Sequence, residues 1–160
     1  MDVEAIRARA AAELAADGIV LTPDEQAAIE VTDLGLGEFE RQGLVLLTYV
    51  NTDRYCAKEL LLGPGQLFPQ HRHPPVAGGP GKEETFRCRR GEVRLHLADA
   101  PGGEAEVARE LVLAPGEQHT IPPDTWHWFQ AGPEGALVSE FSSTSRDEAD
   151  VFADPRVVRA

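Results

Sequence analysis

The sequence of 160 residues lacks an excess of basic charge, because its 15 Lys and Arg residues are outnumbered by 27 Asp and Glu residues. The formal net charge is −12 at pH 7. A surface of that charge repels phosphate backbones and anionic lipid headgroups. We therefore expect neither a nucleic acid nor a membrane among the partners of the protein.

Cysteines and long apolar runs are also scarce. The only cysteines are Cys56 and Cys88, which are far apart and form no CxxC pair, so we interpret them as buried thiols in a reducing compartment. No apolar run approaches the roughly 18 residues of a spanning helix, and the N-terminus lacks the basic and apolar regions of a signal peptide. These features predict a cytoplasmic protein.

The chain has the length of one domain, and we predict a single domain over residues 1–160. Residues 1–33 form a helical segment in this prediction: an alanine-rich helix over residues 3–16, then a short helix that Thr22 caps, with Glu25 completing a capping box. Residues 45–142 form an all-β domain, and residues 143–160 form an acidic tail. Within this tail, a short helix that starts near residues 145–148 is expected to cover one end of the domain.

Short runs rich in Val, Leu, Phe and Thr, separated by Gly and Pro, predict the strands of the β domain. A tight hairpin turn is predicted at residues 89–92 and a looser turn at residues 99–103. The predicted strands are 45–50, 55–62, 67–73, 84–89, 92–98, 106–113, 118–121, 126–130 and 136–142.

Four polar residues in this region form a candidate metal site. His71 and His73 are two residues apart in an extended segment, so both imidazoles face the same side of the sheet. Glu84 starts an otherwise apolar inward stripe, where a carboxylate needs a partner. His127 lies in a later strand between two tryptophans and points away from both. Three imidazoles and a carboxylate suit manganese, iron, cobalt, nickel or zinc, and these residues alone do not choose among them.

The spacing of these residues resembles the two signatures of the cupin superfamily. The first corresponds to Gly65, His71, His73, Glu84 and Gly91, although ten residues separate His73 from Glu84 where cupins usually have three or four. The second corresponds to the following residues, with Asp124 where glycine is usual: Gly116, Pro122, Asp124 and His127. The resemblance implies a cupin-type β-barrel, also called a double-stranded β-helix or jelly roll, with short N-terminal helices.

Longer strings, spread from about residue 34 to residue 156, resemble the D-lyxose ketol-isomerase family. The resemblance implies interconversion of D-lyxose with D-xylulose, or of D-mannose with D-fructose, with manganese as the most fitting ion and a homodimer as the assembly. The strings are NTDRYCAKEL (51–60), HRHPP (71–75), KEETF (82–86), IPPDTWHWF (121–129) and SEFSSTSRDE (139–148).

Aldose–ketose isomerisation moves a proton between carbon 1 and carbon 2 through an enediolate, which a divalent ion chelated by both sugar oxygens can stabilise. The proton needs a base, for which Glu140 is the candidate, with Lys82 to neutralise a developing alkoxide. The alternative for Glu140 is a structural charge paired with an arginine of the barrel wall. Arg146, Asp147 and Asp154 are candidates for contacts with the sugar, or else members of a surface network.

The sequence leaves open two alternative functions and the role of His119. An iron-dependent cupin dioxygenase would use the same three histidines and glutamate, and a non-catalytic cupin would only bind a sugar. His119 is either a residue that orients a ligand or an alternative ligand, whereas His96 is expected to face solvent.

Overall fold

Two helices precede the sheet in the computed structural model of the protein, which describes residues 1–76, 78–102 and 107–158. Helix α1 spans Val3–Ala16 and α2 spans Pro23–Ala27, in agreement with both predicted helices. The capping box at the start of α2 is confirmed, because Thr22 accepts from the Glu25 backbone and the Glu25 carboxylate accepts from the Thr22 backbone. No helix in the described ranges is long and apolar enough to cross a membrane.

Within the same ranges, nine antiparallel strands form one curled sheet, as predicted for an all-β domain. Neighbouring strands follow the order β1-β2-β3-β8-β4-β9, and β5 pairs with β6, β7 and β8. The predicted start of the sixth strand at residue 106 and the end of the loose turn at residue 103 lie outside the described residues. The strands are β1 Glu30–Thr32, β2 Leu44–Asn51, β3 Cys56–Leu62, β4 Leu67–Arg72, β5 Glu84–Ala98, β6 Val107–Leu113, β7 Gln118–Ile121, β8 Trp126–Ser142 and β9 Val151–Phe152.

The predicted hairpin at residues 89–92 was wrong, because residues 84–98 form the single strand β5. The runs 126–130 and 136–142 are likewise one strand, β8, which pairs antiparallel with β5 along both halves. Register shifts on either side of Arg90 and Gly91 bend β5 without reversing it. The Gly-containing segments that suggested a turn therefore curve two long strands, and this curvature closes the sheet around its inner face.

The two faces of the sheet carry separate hydrophobic clusters. The inner cluster contains Leu60, Leu62, Phe86 and Phe129. The same inner face also carries His71, Glu84 and His127. On the outer face, α1 packs its buried residues against β2, β3 and β8. Cys56 and Cys88 are buried free thiols.

Gly91 of β5 and Gly135 of β8 lie in close contact where the two paired strands bend, and this contact offers a test of the fold. Gly91 has φ 72°, and a Cβ there would lie 2.0 Å from the carbonyl oxygen of Gly135. We expect Gly91→Ala to lower the free energy of unfolding by about 3 kcal/mol or more, because backbone strain adds to a clash with a rigid main chain. Urea denaturation measures this loss.

Gly18 supplies the matched control, because it also has positive φ but a Cβ added there would meet no atom of the described part of the chain within 4 Å. Gly18→Ala should cost only about 1 kcal/mol from strain. Equal losses in the free energy of unfolding for the two variants would show that the close contact between β5 and β8 at Gly91 does not constrain the fold.

Candidate metal centre and acid–base site

The four side chains predicted as metal ligands lie side by side at the inner face of the sheet. His71 is in β4 and His73 follows the end of that strand, so strand alternation brings both rings to one side. His127 lies directly opposite His71 in the pairing of β4 with β8, and Glu84 begins β5. One nitrogen or oxygen from each residue lies within 4.8 Å of the others, and all four residues are buried. We call them the His/Glu group.

Hydrogen bonds outside the group fix which ring nitrogen of each histidine carries hydrogen. Nδ1 of His71 lies 2.9 Å from the carbonyl oxygen of Pro69, and Nδ1 of His127 lies 2.8 Å from that of Thr125. Because a carbonyl oxygen only accepts hydrogen bonds, both Nδ1 atoms are donors. In the neutral rings, each Nε2 therefore presents a lone pair to the centre of the group.

His73 follows the same pattern, and its Nδ1 lies 2.5 Å from a carboxylate oxygen of Asp150. The Nε2 atoms of His127 and His73 lie 2.8 Å and 3.3 Å from Oε1 of Glu84, yet Nε2 of His127 is buried without a hydrogen-bond partner among the described residues. Lone pairs of a nitrogen and a carboxylate oxygen repel at this distance unless a proton or a metal cation lies between them. Three neutral imidazoles and one carboxylate therefore fit a divalent cation.

The charges around the group also fit a divalent cation. Among the residues that the structure describes, four carboxylates and two ammonium groups line the inner cavity of the barrel, and with neutral imidazoles they sum to a net charge of −2. Buried charge without compensation is costly, so an ion of charge +2 would balance the interior. The carboxylates belong to Glu84, Glu140, Asp147 and Asp150, and the ammonium groups to Lys58 and Lys82.

Lys82 connects the His/Glu group to the predicted base. Its Nζ lies 2.6 Å from Oε2 of Glu84 and 2.6 Å from Oε1 of Glu140, and all three side chains are at most 6% exposed. Lys82 precedes β5 and nevertheless points inward. The cation beside Glu140 is thus a lysine of the inner cavity rather than the arginine of the barrel wall considered above.

Burial and neighbouring charges act in opposite directions on the protonation of these residues. Burial lowers the pKa of His71 well below its usual value, and the neighbouring histidines add to this effect. Burial alone would raise the pKa of Glu84, but Lys82 and His73 hold it well below its usual range. Burial would lower the pKa of His73, but Glu84 and Asp150 raise it to about 9. A bound metal would compete with a proton for Nε2 of His73.

Two residues of this site, Lys58 and Asp150, were missed in the sequence. Lys58 alternates with Leu60 and Leu62 on β3, so the period of two was a usable signal for its inward direction. Asp150 follows the 3-10 turn Asp147–Ala149 in the C-terminal tail, where no periodicity indicates a direction. This turn lies where the short helix was predicted.

A cavity of about 470 Å³, which we call the mouth cavity, leads to the site. His73, Lys82 and Asp150 line both this cavity and the inner cavity. Arg146 also lines the mouth cavity, as a contact with a sugar would require. Asp154 is not among the lining residues and instead forms hydrogen bonds with Arg156, so its predicted role gains no support from its position.

The two remaining histidines of the β domain are outside the His/Glu group. His119 lies on β7 opposite Phe86, and burial lowers its pKa. His96 was predicted to face solvent, which is wrong, because its ring is buried and stacks on Trp128 with 4.8 Å between ring centroids. Trp128, which directly follows His127 in the sequence, thus packs against a second histidine, His96.

Solved structures show the same fold. The L-ribose isomerase of Cellulomonas parahominis without ligand has a TM-score of 0.80 at 14% sequence identity, with 96% of this chain and 92% of that chain covered. The L-ribose isomerase of Acinetobacter sp. DL28 in complex with L-ribose has a TM-score of 0.80 at 13% identity, with the same shares covered. The protein is a cupin-type β-barrel with a buried cluster of three histidines and a glutamate, and the predicted fold class is confirmed.

Sequence relatives identify the family within this class. The family model of D-lyxose isomerase matches residues 82–159. A D-lyxose ketol-isomerase of Cohnella laeviribosi is 61% identical over 154 residues, covering 89% of this chain and 85% of the relative. A D-lyxose/D-mannose isomerase of Thermosediminibacter oceani is 58% identical over 153 residues, covering 88% and 84%. The chain belongs to the D-lyxose isomerase family, and the predicted class of aldose–ketose isomerase is confirmed at this level.

Removing one member of the His/Glu group tests its predicted role in metal binding. We expect His71→Ala and Glu84→Ala to lose bound divalent metal, because each change removes one of the four predicted donor atoms. Elemental analysis of the purified, manganese-loaded protein measures the metal content. His96→Ala is the control, since it removes another buried imidazole and should leave one metal ion per chain. Full metal content in His71→Ala would refute the assignment of this ligand.

Proposed function

We propose that this protein is a metal-dependent isomerase that interconverts D-lyxose with D-xylulose and, as a second reaction, D-mannose with D-fructose. The His/Glu group would hold the ion. The observation that carries the proposal is the ammonium of Lys82, which lies 2.6 Å from the Glu84 carboxylate of this group and 2.6 Å from the Glu140 carboxylate. A candidate base thus lies beside the candidate metal site.

Glu140 is the proposed carrier of the proton. Its carboxylate takes the proton from carbon 2 of the aldose and returns it to carbon 1 of the enediolate, while a hydroxyl proton is lost at oxygen 2 and one is gained at oxygen 1. The reaction is thus a balanced isomerisation without an external oxidant or reductant. A bound divalent ion would supply Lewis acidity toward the sugar oxygens.

Lys82 positions the base and stabilises negative charge. Burial by itself would lower the pKa of Lys82, but Glu140 and Glu84 raise it above its usual value. Lys82 therefore stays an ammonium, which forms an ion pair with Glu140 and can donate a hydrogen bond to a developing oxyanion. Proton transfer is thereby left to the carboxylate.

The mouth cavity and the relatives support small sugars as substrates. A volume of about 470 Å³ is typical of small-molecule sites. D-Mannose has the configuration of D-lyxose at carbons 2, 3 and 4 and one additional hydroxymethylene group, so one pocket can accept both. The relative from Thermosediminibacter oceani carries both sugars in its name. Arg146, at the rim of the cavity, is the proposed contact for the distal hydroxyls.

Manganese, a homodimeric state and a cytoplasmic location complete the proposal. The mixed nitrogen and oxygen donor set supports manganese without excluding its neighbours in the series. The homodimer rests on the family resemblance alone. The buried free thiols of Cys56 and Cys88 are consistent with a reducing compartment.

An isomerase assay under nitrogen tests the activity. We expect the purified protein, loaded with manganese, to convert D-lyxose and D-mannose into their ketoses at the same rate under nitrogen and in air, because isomerisation consumes no oxygen. Chromatography of the sugars measures both rates. A requirement for oxygen would point to the dioxygenase, and binding of both sugars without turnover would point to the non-catalytic cupin.

The variant Glu140→Gln tests the base separately from the metal. We expect a loss in kcat of about 100-fold or more with the metal content unchanged, because an amide keeps the shape of the carboxylate but cannot take a proton. Glu59→Gln is the matched control. Glu59 is a buried carboxylate on the neighbouring strand β3, and it accepts hydrogen bonds from the hydroxyl of Ser139 on the outer face. Turnover near the original rate in Glu140→Gln would show that another group is the base.

A further inference from the structure

Asp150 connects the His/Glu group to the C-terminal part of the chain. Its side chain is 4% exposed, and its Oδ1 accepts the hydrogen bond from Nδ1 of His73 at 2.5 Å. The other two histidines of the group donate instead to carbonyl oxygens within two residues of themselves. Only His73, within the group, is thus oriented by a residue distant in sequence.

The stretch that carries Asp150 is held at the barrel from several sides, and we call residues 145–152 the closing segment. At its start, Ser145 exchanges two hydrogen bonds with the side chain of Asn51, at 2.9 Å and 3.0 Å. At its end, β9 pairs with β4, and the ring of Phe152 stacks on His71 with 5.4 Å between centroids. The closing segment therefore reaches the His/Glu group through two different histidines.

Lys58 provides a buried ionic anchor for this segment. Its Nζ donates to Oγ of Ser145 at 2.9 Å and to Oδ2 of Asp147 at 2.7 Å. The side chain of Lys58 is only 5% exposed, so its ammonium depends on these partners for compensation. Because Asp150 donates its backbone N–H to the carbonyl of Asp147, the anchor lies one short turn away from the acceptor of His73.

We infer that the closing segment is a working part of the metal centre, in which Asp150 orients His73 as a ligand and Lys58 is the positioning residue that holds Asp150 in place. This inference rests on the proposed function, because it assumes that the His/Glu group binds a metal. A carboxylate on Nδ1 keeps Nε2 free for the ion, fixes the plane of the ring and makes the imidazole more basic. Lys58 acts on the metal only through the segment it anchors.

The charge pattern supports this division of roles. Lys82 lies 2.6 Å from two carboxylates of the catalytic site, whereas the two side chains to which Lys58 donates both belong to the closing segment. Undocking the segment would leave Lys58 as a buried cation without these partners and would remove the acceptor from His73. Docking of the segment and a well-oriented metal site therefore favour each other.

Metal titration of full-length variants tests the inference. The protein is freed of metal with a chelator and titrated with Mn²⁺ in competition with a chelating indicator. We expect Asp150→Asn to weaken Mn²⁺ binding about 10- to 100-fold. Lys58→Met should weaken it in the same direction, and Lys58→Arg should restore most of the affinity because a guanidinium can donate to both partners. With Co²⁺ as probe, Asp150→Asn should also shift the visible absorption bands, since the basicity of His73 changes.

Arg90→Met is the matched control. Arg90 anchors the other terminal segment, α1, through Asp17 at 2.8 Å and Glu13 at 3.2 Å. Its loss should lower thermal stability and leave the Mn²⁺ affinity and the Co²⁺ bands unchanged. Far-UV circular dichroism of the metal-free proteins checks that all variants are folded, and Asp147→Asn replaces Lys58→Met if the latter is not.

The outcomes separate this inference from the proposed function. Original affinity and original Co²⁺ bands in both Asp150→Asn and the Lys58 variant would overturn the inference while the metal site itself stands. Equal weakening by Arg90→Met would also overturn it, because general stability would then explain the effect. Failure of the unaltered protein to bind Mn²⁺ or Co²⁺ would overturn the proposed function as well.

Discussion

The convergence of three imidazole lone pairs on a buried carboxylate is the constraint around which the rest of the site is organised. Each Nδ1 donates outward, so each ring turns its Nε2 toward Glu84, and these atoms attract each other only through an intervening proton or metal cation. A barrel interior removes the water that would otherwise solvate them, which raises the cost of leaving them uncompensated. The neighbouring carboxylates and the two lysines have the charge that a divalent ion completes, so the donor atoms and the charge balance lead independently to the same kind of ligand.

The curvature of β5 and β8 makes this convergence possible. Glu84 and His127 lie near the starts of these two long antiparallel strands, His71 lies in β4 beside β8, and His73 directly follows the end of β4. If either strand reversed at its glycines, as a hairpin would, its two halves would lie next to each other instead of wrapping around the inner face. The positive φ of Gly91 in β5 and of Gly135 in β8 lets both strands bend while their pairing continues. The same bends therefore determine the shape of the barrel and the distance between the ligands.

Much of the site follows from the sequence, because its residues lie on strands where the period of two has a direct spatial meaning. His71, His73, Glu84 and His127 could be assigned to one inner face without knowledge of the complete fold, and Lys58 carried the same signal. The hairpin at residues 89–92 was wrong because a glycine between two β runs is compatible with a turn and with a bulge, and only the partner strand decides between them. Asp150 could not be found in this way, since its position depends on a long-range anchor between the tail and β3 rather than on local periodicity.

The position of Lys82 between Glu84 and Glu140 has a further consequence for how metal binding and proton transfer depend on each other. One ammonium lies 2.6 Å from an oxygen of each carboxylate, so any change in charge at the His/Glu group alters how strongly Lys82 is held by Glu140. If the His/Glu group holds a cation, Glu84 would attract Lys82 less strongly, and the ammonium would be more available to Glu140 and to the substrate. In the proposed mechanism, the metal and the base would therefore be coupled through Lys82, which lies 2.6 Å from an oxygen of each carboxylate. Such coupling would favour proton transfer by the proposed base Glu140 when a metal is bound, which is the state in which the proposed enediolate would be stabilised.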